Sequence, residues 1–399
     1  MYRLIVAPLL IISLFANSPV ANARDHNAQE TNTTVLRQQS KTDKHLVKAW
    51  QNFNLGEYSR ASKDLKHSIK SLADNSNCPE KLATSLANLA CIKSEKGSFN
   101  EAEALYLKAI DIYESCLDSE HPYLSVLLNN LAVLYYRQGE YEKARPLYIE
   151  VLTRLERQLG KDHPNIAVNH NNLAALLCKL KDFDGASYHL EKALSINKKK
   201  LGTNHPGYAT ALNNLGAVLF LRGDQKRAEE LYEEALEIRE ASLPPEHPDL
   251  ALSYNNIARL KLKQNKLTES KRLYELALRI RLKVFGKKHH LVGVTLNGMG
   301  DLKLACNEYK KAEKLFSKAL RIRTAALGAN HLDVAESLIG LAKAKYALGH
   351  NRDALAAMAR AKNIEVNAYG PESKEVLALK KETEKMIRNV QNGQICRKS

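Results

Sequence analysis

A histidine-proline pair returns every 42 residues, and this period constrains the fold more than any other feature of the sequence. The complete pairs are His121-Pro122, His163-Pro164, His205-Pro206 and His247-Pro248. Two degraded copies, His289-His290 and His331-Leu332, continue the series. A repeat of this length holds one supersecondary unit that cannot bury its apolar face alone, so neighbouring units must stack.

Three columns of residues recur in each copy and have the properties of paired helices. A small residue stands at Ala49, Ala90, Ala132, Ala174, Gly216, Ala258, Gly300 and Ala342. A second small column is Ala61, Ala102, Ala144, Ala186, Ala228, Ser270, Ala312 and Ala354, and a bulky column is Leu65, Tyr106, Tyr148, Leu190, Tyr232, Tyr274, Phe316 and Met358. Small residues let two antiparallel helices approach closely, and the bulky residue fills the space beside them. The columns therefore predict an all-α stack of about eight helical hairpins over residues 42–370.

A turn column separates the two helices of each hairpin, and the histidine-proline marker precedes each first helix. The turn positions are Gly56, Gly97, Gly139, Lys181, Gly223, Asn265, Asn307 and Gly349. Glycine and asparagine tolerate the left-handed backbone that ends a helix, so Lys181 is the exception. Proline suits the first helical position because its missing N–H has no partner there. One histidine per hairpin lies too far from the next to share an ion, so the pattern predicts a structural role and neither a metal nor a cofactor.

The repeats resemble the tetratricopeptide repeat, in the 42-residue form found in kinesin light chains. The resemblance is carried by Leu128-Asn129-Asn130-Leu131-Ala132, Tyr135, Gly139, Tyr141, Ala144, Leu147-Tyr148, Leu159-Gly160 and His163-Pro164. It implies a right-handed α-solenoid whose first helices line an inner groove. The chain departs from kinesin light chains before the repeats, where residues 24–41 form a short polar linker in place of a heptad segment.

The two ends of the chain predict an export signal and a capping helix. Residues 1–23 combine Arg3, a short apolar run and Ala21-Asn22-Ala23, which is typical of a cleaved secretory signal and predicts a periplasmic or extracellular protein. An uncleaved anchor or a buried first helix is the alternative. Residues 371–391 are predicted to form an amphipathic helix that caps the stack, and a membrane-surface helix is the alternative. Residues 392–399 are predicted to form a loose tail.

The candidate peptide-binding residues follow from the resemblance, which places one side of each first helix in the groove. The first asparagine of each pair lies on that side: Asn129, Asn171, Asn213, Asn255 and Asn297. A primary amide both donates and accepts, so such a ladder suits the backbone of an extended peptide. The alternative is that these amides bond between neighbouring helices and fix their stacking. We favour that alternative for the second column, Asn88, Asn130, Asn172, Asn214 and Asn256.

Further along the same side, the candidate residues are mixed in character. They are Tyr136, Arg137, Lys179, Phe220, Arg259 and Lys263, with Cys178, Leu221 and Leu262 beside them. Arginine and lysine pair with carboxylates while aromatic rings offer stacking area, so a peptide with acidic residues beside an apolar anchor is the expected partner. A basic series near the ends of second helices is expected to be solvated and stabilising, because the helix dipole favours cations there; it consists of Arg239, Arg281 and Arg323.

Composition limits the remaining functions. The formal charge is +16 for the full chain, and +15 once Arg3 is removed with the signal, from 59 basic and 44 acidic residues. That balance favours acidic partners, but the sequence holds no nucleic-acid-binding signature and no catalytic motif, so we expect no enzyme. Cys78 and Cys116 are the candidate disulfide pair, with unpaired buried thiols as the alternative.

The sequence thus favours an exported scaffold that binds a protein segment in its groove. The competing interpretation is an electrostatic binder of an anionic envelope polymer or membrane surface through a basic outer surface.

Overall fold

The computed structural model describes residues 58–73, 79–95, 98–116 and 121–391, together with residues 45, 48, 49 and 52. Within these ranges the protein is a succession of sixteen helices without a strand, which confirms the all-α solenoid class. The helices are α1 (Tyr58–Ala73), α2 (Pro79–Glu95), α3 (Phe99–Cys116), α4 (Pro122–Gln138), α5 (Tyr141–Leu159), α6 (Pro164–Lys179), α7 (Phe183–Lys200), α8 (Pro206–Arg222), α9 (Gln225–Ser242), α10 (Pro248–Lys263), α11 (Leu267–Phe285), α12 (His290–Ala305), α13 (Tyr309–Leu327), α14 (Leu332–Ala347), α15 (Asn351–Tyr369) and α16 (Lys374–Gln391).

The hairpins pair an even-numbered first helix with the odd-numbered second helix that follows it, from α2–α3 to α14–α15. Helix α1 matches the second helix of the first predicted hairpin. The described residues form two compact units that divide within α6, one ending at Asn172 and the other beginning at Leu173. The predicted signal, the linker and the tail lie outside the described residues, and so does Cys78 of the candidate disulfide. Cys91 and Cys178 are buried.

The two small columns lie where the helices of a hairpin meet. In the C-terminal unit Ala228 is fully buried, and a methyl group added at Gly300 would lie 2.7 Å from the Phe316 ring. Packing this close leaves no room for a larger side chain, so the columns have the packing role that the sequence predicts.

The histidine of each marker caps the first helix that follows it. The Nδ1 atoms of His121 and His163 in the N-terminal unit accept a hydrogen bond at 3.2 Å from the backbone N–H two residues ahead. Those of His205, His247, His289 and His331 do the same in the C-terminal unit at 3.0 to 3.3 Å. The cap satisfies one of the backbone donors that a helix start leaves without a partner, which accounts for the periodic histidines without a metal.

The helix-ending turn is kept even where glycine is missing. Lys181 has φ 64°, beside φ 62° for Asn265 and φ 58° for Asn307. Lys181 therefore adopts the left-handed backbone conformation of the turn, although lysine disfavours it.

The basic series at the ends of second helices is buried, so the expected solvation of these arginines is wrong. Arg239, Arg281 and Arg323 are 0%, 1% and 2% exposed. The Nη1 atom of Arg281 donates to the Leu291 carbonyl at 2.9 Å and to Thr295 Oγ1 at 2.7 Å. Arg239 and Arg323 repeat the arrangement on Asp249 and Ser253 and on Asp333 and Ser337. Each guanidinium thus ties a second helix to the first helix of the next hairpin, because a buried charge must be hydrogen-bonded.

Candidate functional site

Four of the five candidate asparagines are buried, so the expected exposure of their amides to a groove is wrong. Asn129, Asn213, Asn255 and Asn297 are between 0% and 3% exposed. In the N-terminal unit Asn129 Oδ1 accepts from Asn172 Nδ2 at 3.1 Å. In the C-terminal unit Asn213 Oδ1 accepts from Asn256 Nδ2 at 3.2 Å. The amides join neighbouring first helices, as the alternative interpretation predicts.

Of the three remaining members of this ladder, Asn255 and Asn171 are also engaged within the protein, whereas the buried Oδ1 of Asn297 has no hydrogen-bond partner among the described residues. Asn255 Oδ1 accepts a hydrogen bond of 3.4 Å from Arg281 Nη1. Asn171 is half-buried, and its Nδ2 donates to the carbonyl of Ala167 at 2.9 Å, one turn earlier in α6. Because most of these amides are buried and bond within the protein, more exposed residues are better candidates for a peptide site.

Two further candidates of the N-terminal unit, Arg137 and Tyr136 of α4, lie against neighbouring helices. Arg137 Nη1 donates to Ser94 Oγ at 3.1 Å, and its guanidinium carbon lies 6.0 Å from the Phe99 ring centroid. The Tyr136 ring lies 5.6 Å from that of Tyr141. These contacts hold both side chains half-buried and give them a packing role.

Three candidates of the C-terminal unit come together in one pocket. Phe220 on α8 and Arg259 and Lys263 on α10 line it, while Lys179 at the end of α6 does not. The remaining lining residues are Leu262, Tyr274 and Asp301. The pocket therefore combines apolar walls with charges of both signs.

Arg259 is the polar centre of this pocket. Its guanidinium carbon lies 5.9 Å from the centroid of the Phe220 ring, within the range of a cation–π contact. Its Nη2 atom is buried and has no hydrogen-bond partner among the described residues. A buried N–H of a charged group without an acceptor is costly, and a carboxylate is the acceptor that best matches it.

Asp301 is a pocket residue that the sequence reasoning missed. Burial raises the pKa of its carboxyl to about 7, Glu336 adds to the rise, and Arg259 and Lys343 oppose it. Arg259, Asp301 and Lys343 stand at the 42-residue step, one position after the small column. That charged column on three successive first helices was the available signal. Lys343 also pairs with Glu382 of α16 at 3.1 Å.

The chain belongs to the tetratricopeptide repeat family. The family model matches residues 81–156, 123–199, 165–241, 249–324 and 295–364, which together span most of the hairpins described above. A search of curated proteins finds no match.

Solved structures share the fold at low sequence identity. A Rap protein complexed with competence and sporulation factor is 15% identical with a TM-score of 0.65, over 90% of this chain and 95% of that one. Yeast Tom70 is 17% identical with a TM-score of 0.51, over 89% of this chain and 66% of that one. Kinesin light chain-like repeats from Podospora anserina are 26% identical with a TM-score of 0.42, over 52% of this chain and 98% of that one.

The part of the chain that the structure describes contains neither a membrane-spanning helix nor a metal-binding cluster. None of its helices combines the length and apolar character needed to span a bilayer. The same residues hold no group of three histidine, cysteine or acidic side chains arranged to hold a metal ion.

Proposed function

We propose that this protein is a non-enzymatic scaffold that holds a segment of another protein in the pocket of Phe220, Arg259 and Lys263. Tetratricopeptide repeats generally serve protein–protein interaction. The observation that carries the proposal is the buried Arg259 Nη2 atom, which has no acceptor and lies beside the ring of Phe220.

The pocket chemistry supports an acidic segment with an apolar anchor. Phe220, Leu262 and the fully buried Tyr274 offer an apolar wall, and Lys263 is exposed at its edge. A carboxylate of the partner would accept from Arg259 and lie near Lys263, while its apolar side chain packs on Phe220. Asp301 opposes a second carboxylate on its own side of the pocket, and this fixes the direction of the segment.

The proposal is tested with fluorescein-labelled peptides in which one leucine or phenylalanine is flanked by glutamates. A control set replaces the glutamates with lysines. We expect the acidic set to bind the protein and the basic set to bind at least tenfold more weakly, because the basic peptides lose the ion pairs and meet repulsion. Fluorescence anisotropy measures both.

Two variants assign the binding to the pocket. Arg259→Ala removes the central donor and should weaken acidic-peptide binding by roughly tenfold or more. Arg222→Ala is the matched control, because Arg222 is an exposed arginine in α8 that does not line the pocket. Equal effects of the two substitutions, or equal binding of both peptide sets, would reject the proposed site.

We also propose that the protein acts after export, with cleavage after Ala23. The support is the sequence of residues 1–23. N-terminal sequencing of the protein from its native host should find Arg24 first, and recovery of intact Met1 would remove the periplasmic or extracellular location. A pull-down from the envelope fraction would then identify the partner.

A further inference from the structure

An exposed basic face runs over three consecutive second helices of the C-terminal unit. At four positions that recur every 42 residues, helices α11, α13 and α15 carry eight cations and no acid. All eight are exposed, and none forms an ion pair with a described residue. The basic face consists of Arg272, Arg279, Lys310, Lys314, Lys318, Arg321, Arg352 and Arg360.

Three acids of the same helices do not compensate this charge because they pair with lysines of other helices, and a fourth, Glu275, lies 4.0 Å from Lys271 of α11 itself. Glu269 lies 3.5 Å from Lys261, Glu313 lies 3.9 Å from Lys345, and Asp353 lies 2.6 Å from Lys345. These lysines belong to first helices, so the second helices keep a net positive outer face.

The fold does not require cations at these positions. Helix α9 has the same place in its hairpin, yet carries Glu230, Glu234 and Glu237 where α13 has Lys314, Lys318 and Arg321. Because α9 and α13 have the same place in their hairpins, packing does not determine the sign of the charge at these positions.

Local helix energetics also disfavour the arrangement on α13. Lys310, Lys314 and Lys318 are successive like charges four residues apart, which repel one another. Lys310 also lies in the first turn, which holds no acidic residue, where the helix dipole opposes a cation. A stabilising role in the folded chain therefore does not explain the basic face.

The face lacks the apolar anchors that a membrane or a protein partner would use. Among the exposed large apolar side chains, only Val284 belongs to α11, α13 or α15, and it lies at the end of α11. Peripheral membrane helices and protein interfaces both draw on buried apolar side chains, whereas a polyelectrolyte needs charge alone.

We propose that this basic face binds a linear polyanion, at a surface separate from the peptide pocket. Cations four residues apart in a helix are about 6 Å apart along its axis. Lys310, Lys314 and Lys318 therefore present a row of regularly spaced charges to an extended anionic chain, and the neighbouring helices broaden it. Binding would release the counterions of the polymer and so weaken steeply with salt.

The test is binding of fluorescently labelled inorganic polyphosphate to the full chain at increasing salt. A surface variant, Lys314→Gln with Lys318→Gln and Arg321→Gln, should bind roughly tenfold more weakly. The slope of log affinity against log salt should fall by about two to three, since each phosphate contact contributes about 0.7 to 0.9. A control variant, Lys192→Gln with Lys198→Gln and Lys200→Gln, removes the same charge from exposed positions of α7 and should retain affinity and slope.

Three outcomes would overturn the proposal. Equal losses in the surface and control variants would mean that net charge alone attracts the polymer, and unchanged binding by the surface variant would place the polymer elsewhere. Binding to phosphatidylserine vesicles without binding to polyphosphate would make a lipid surface the partner. Lys314→Arg with Lys318→Arg keeps the charge and should keep the binding, which separates charge loss from misfolding.

Discussion

The two helices of each hairpin use polar residues in opposite ways. On first helices, asparagines repeat with the same identity and are buried, as at Asn213 and Asn256, where one amide bonds to the next. On second helices, the outer positions are exposed and change from Glu234 in α9 to Lys318 in α13. In this protein, a polar residue that repeats unchanged in successive hairpins has a packing role. A position that is exposed and changes between hairpins is not needed for packing and can serve binding.

The largest loss of stability, which would sharpen this contrast most, is expected when a buried arginine is replaced. Arg281→Ala should destabilise the protein by about 3 kcal/mol or more, because it leaves a cavity and removes the donors to Leu291 and Thr295. Arg279→Ala, two residues earlier in the same helix and exposed, should change stability by less than about 0.5 kcal/mol. Urea unfolding followed by circular dichroism measures both, and similar values would erase the distinction between the two positions.

A smaller loss is expected when the amide ladder is broken on a first helix. Asn256→Ala should cost about 1 to 2 kcal/mol, because the buried Oδ1 of Asn213 loses its donor. Thermal unfolding of this variant is compared with that of Lys263→Ala, which alters an exposed residue of the same helix. A Tm for Asn256→Ala as high as that of the control would mean that the ladder does not hold the stack together.

A pH-dependent effect is expected at Asp301, where a first helix carries a titratable group in the pocket. Its folded pKa of about 7 lies above the unfolded value, so the native state holds the proton more tightly. Stability from this group is therefore present at low pH and falls as pH rises toward 7. Asp301→Asn should flatten the decline of Tm with pH between about 4 and 7. Parallel profiles for the two proteins would place the titration elsewhere.

Much of the fold could be predicted because every hairpin uses the same packing contacts at the same positions. Ala228, Gly300 and the histidines of the markers recur at a fixed step, so each copy supports the others. The exception at Lys181 was also visible, although only the structure shows that lysine accepts the left-handed turn.

The burial of the arginines could not be predicted from their helix position alone. A cation near a helix end is usually solvated, and the decisive partner lies in the next hairpin. A serine or threonine fourteen residues after each arginine, as at Thr295 after Arg281, was the available signal. The pocket was predicted in part: Phe220, Arg259 and Lys263 line it, but Asp301 was missed because it is the single acid in its column, between the basic residues Arg259 and Lys343.

The most direct test of the account measures binding and stability together in two double variants. One changes Arg259→Glu and Lys263→Glu in the pocket, and the other changes Asn213→Ala and Asn255→Ala in the buried ladder. We expect the pocket variant to bind the acidic peptides at least tenfold more weakly. Its Tm should change less than that of the ladder variant, because Lys263 is exposed and Arg259 contributes a single cation–π contact with Phe220. The ladder variant should lose Tm while its folded fraction binds normally. The reverse pattern, with stability lost in the pocket variant and peptide affinity lost in a fully folded ladder variant, would contradict the account.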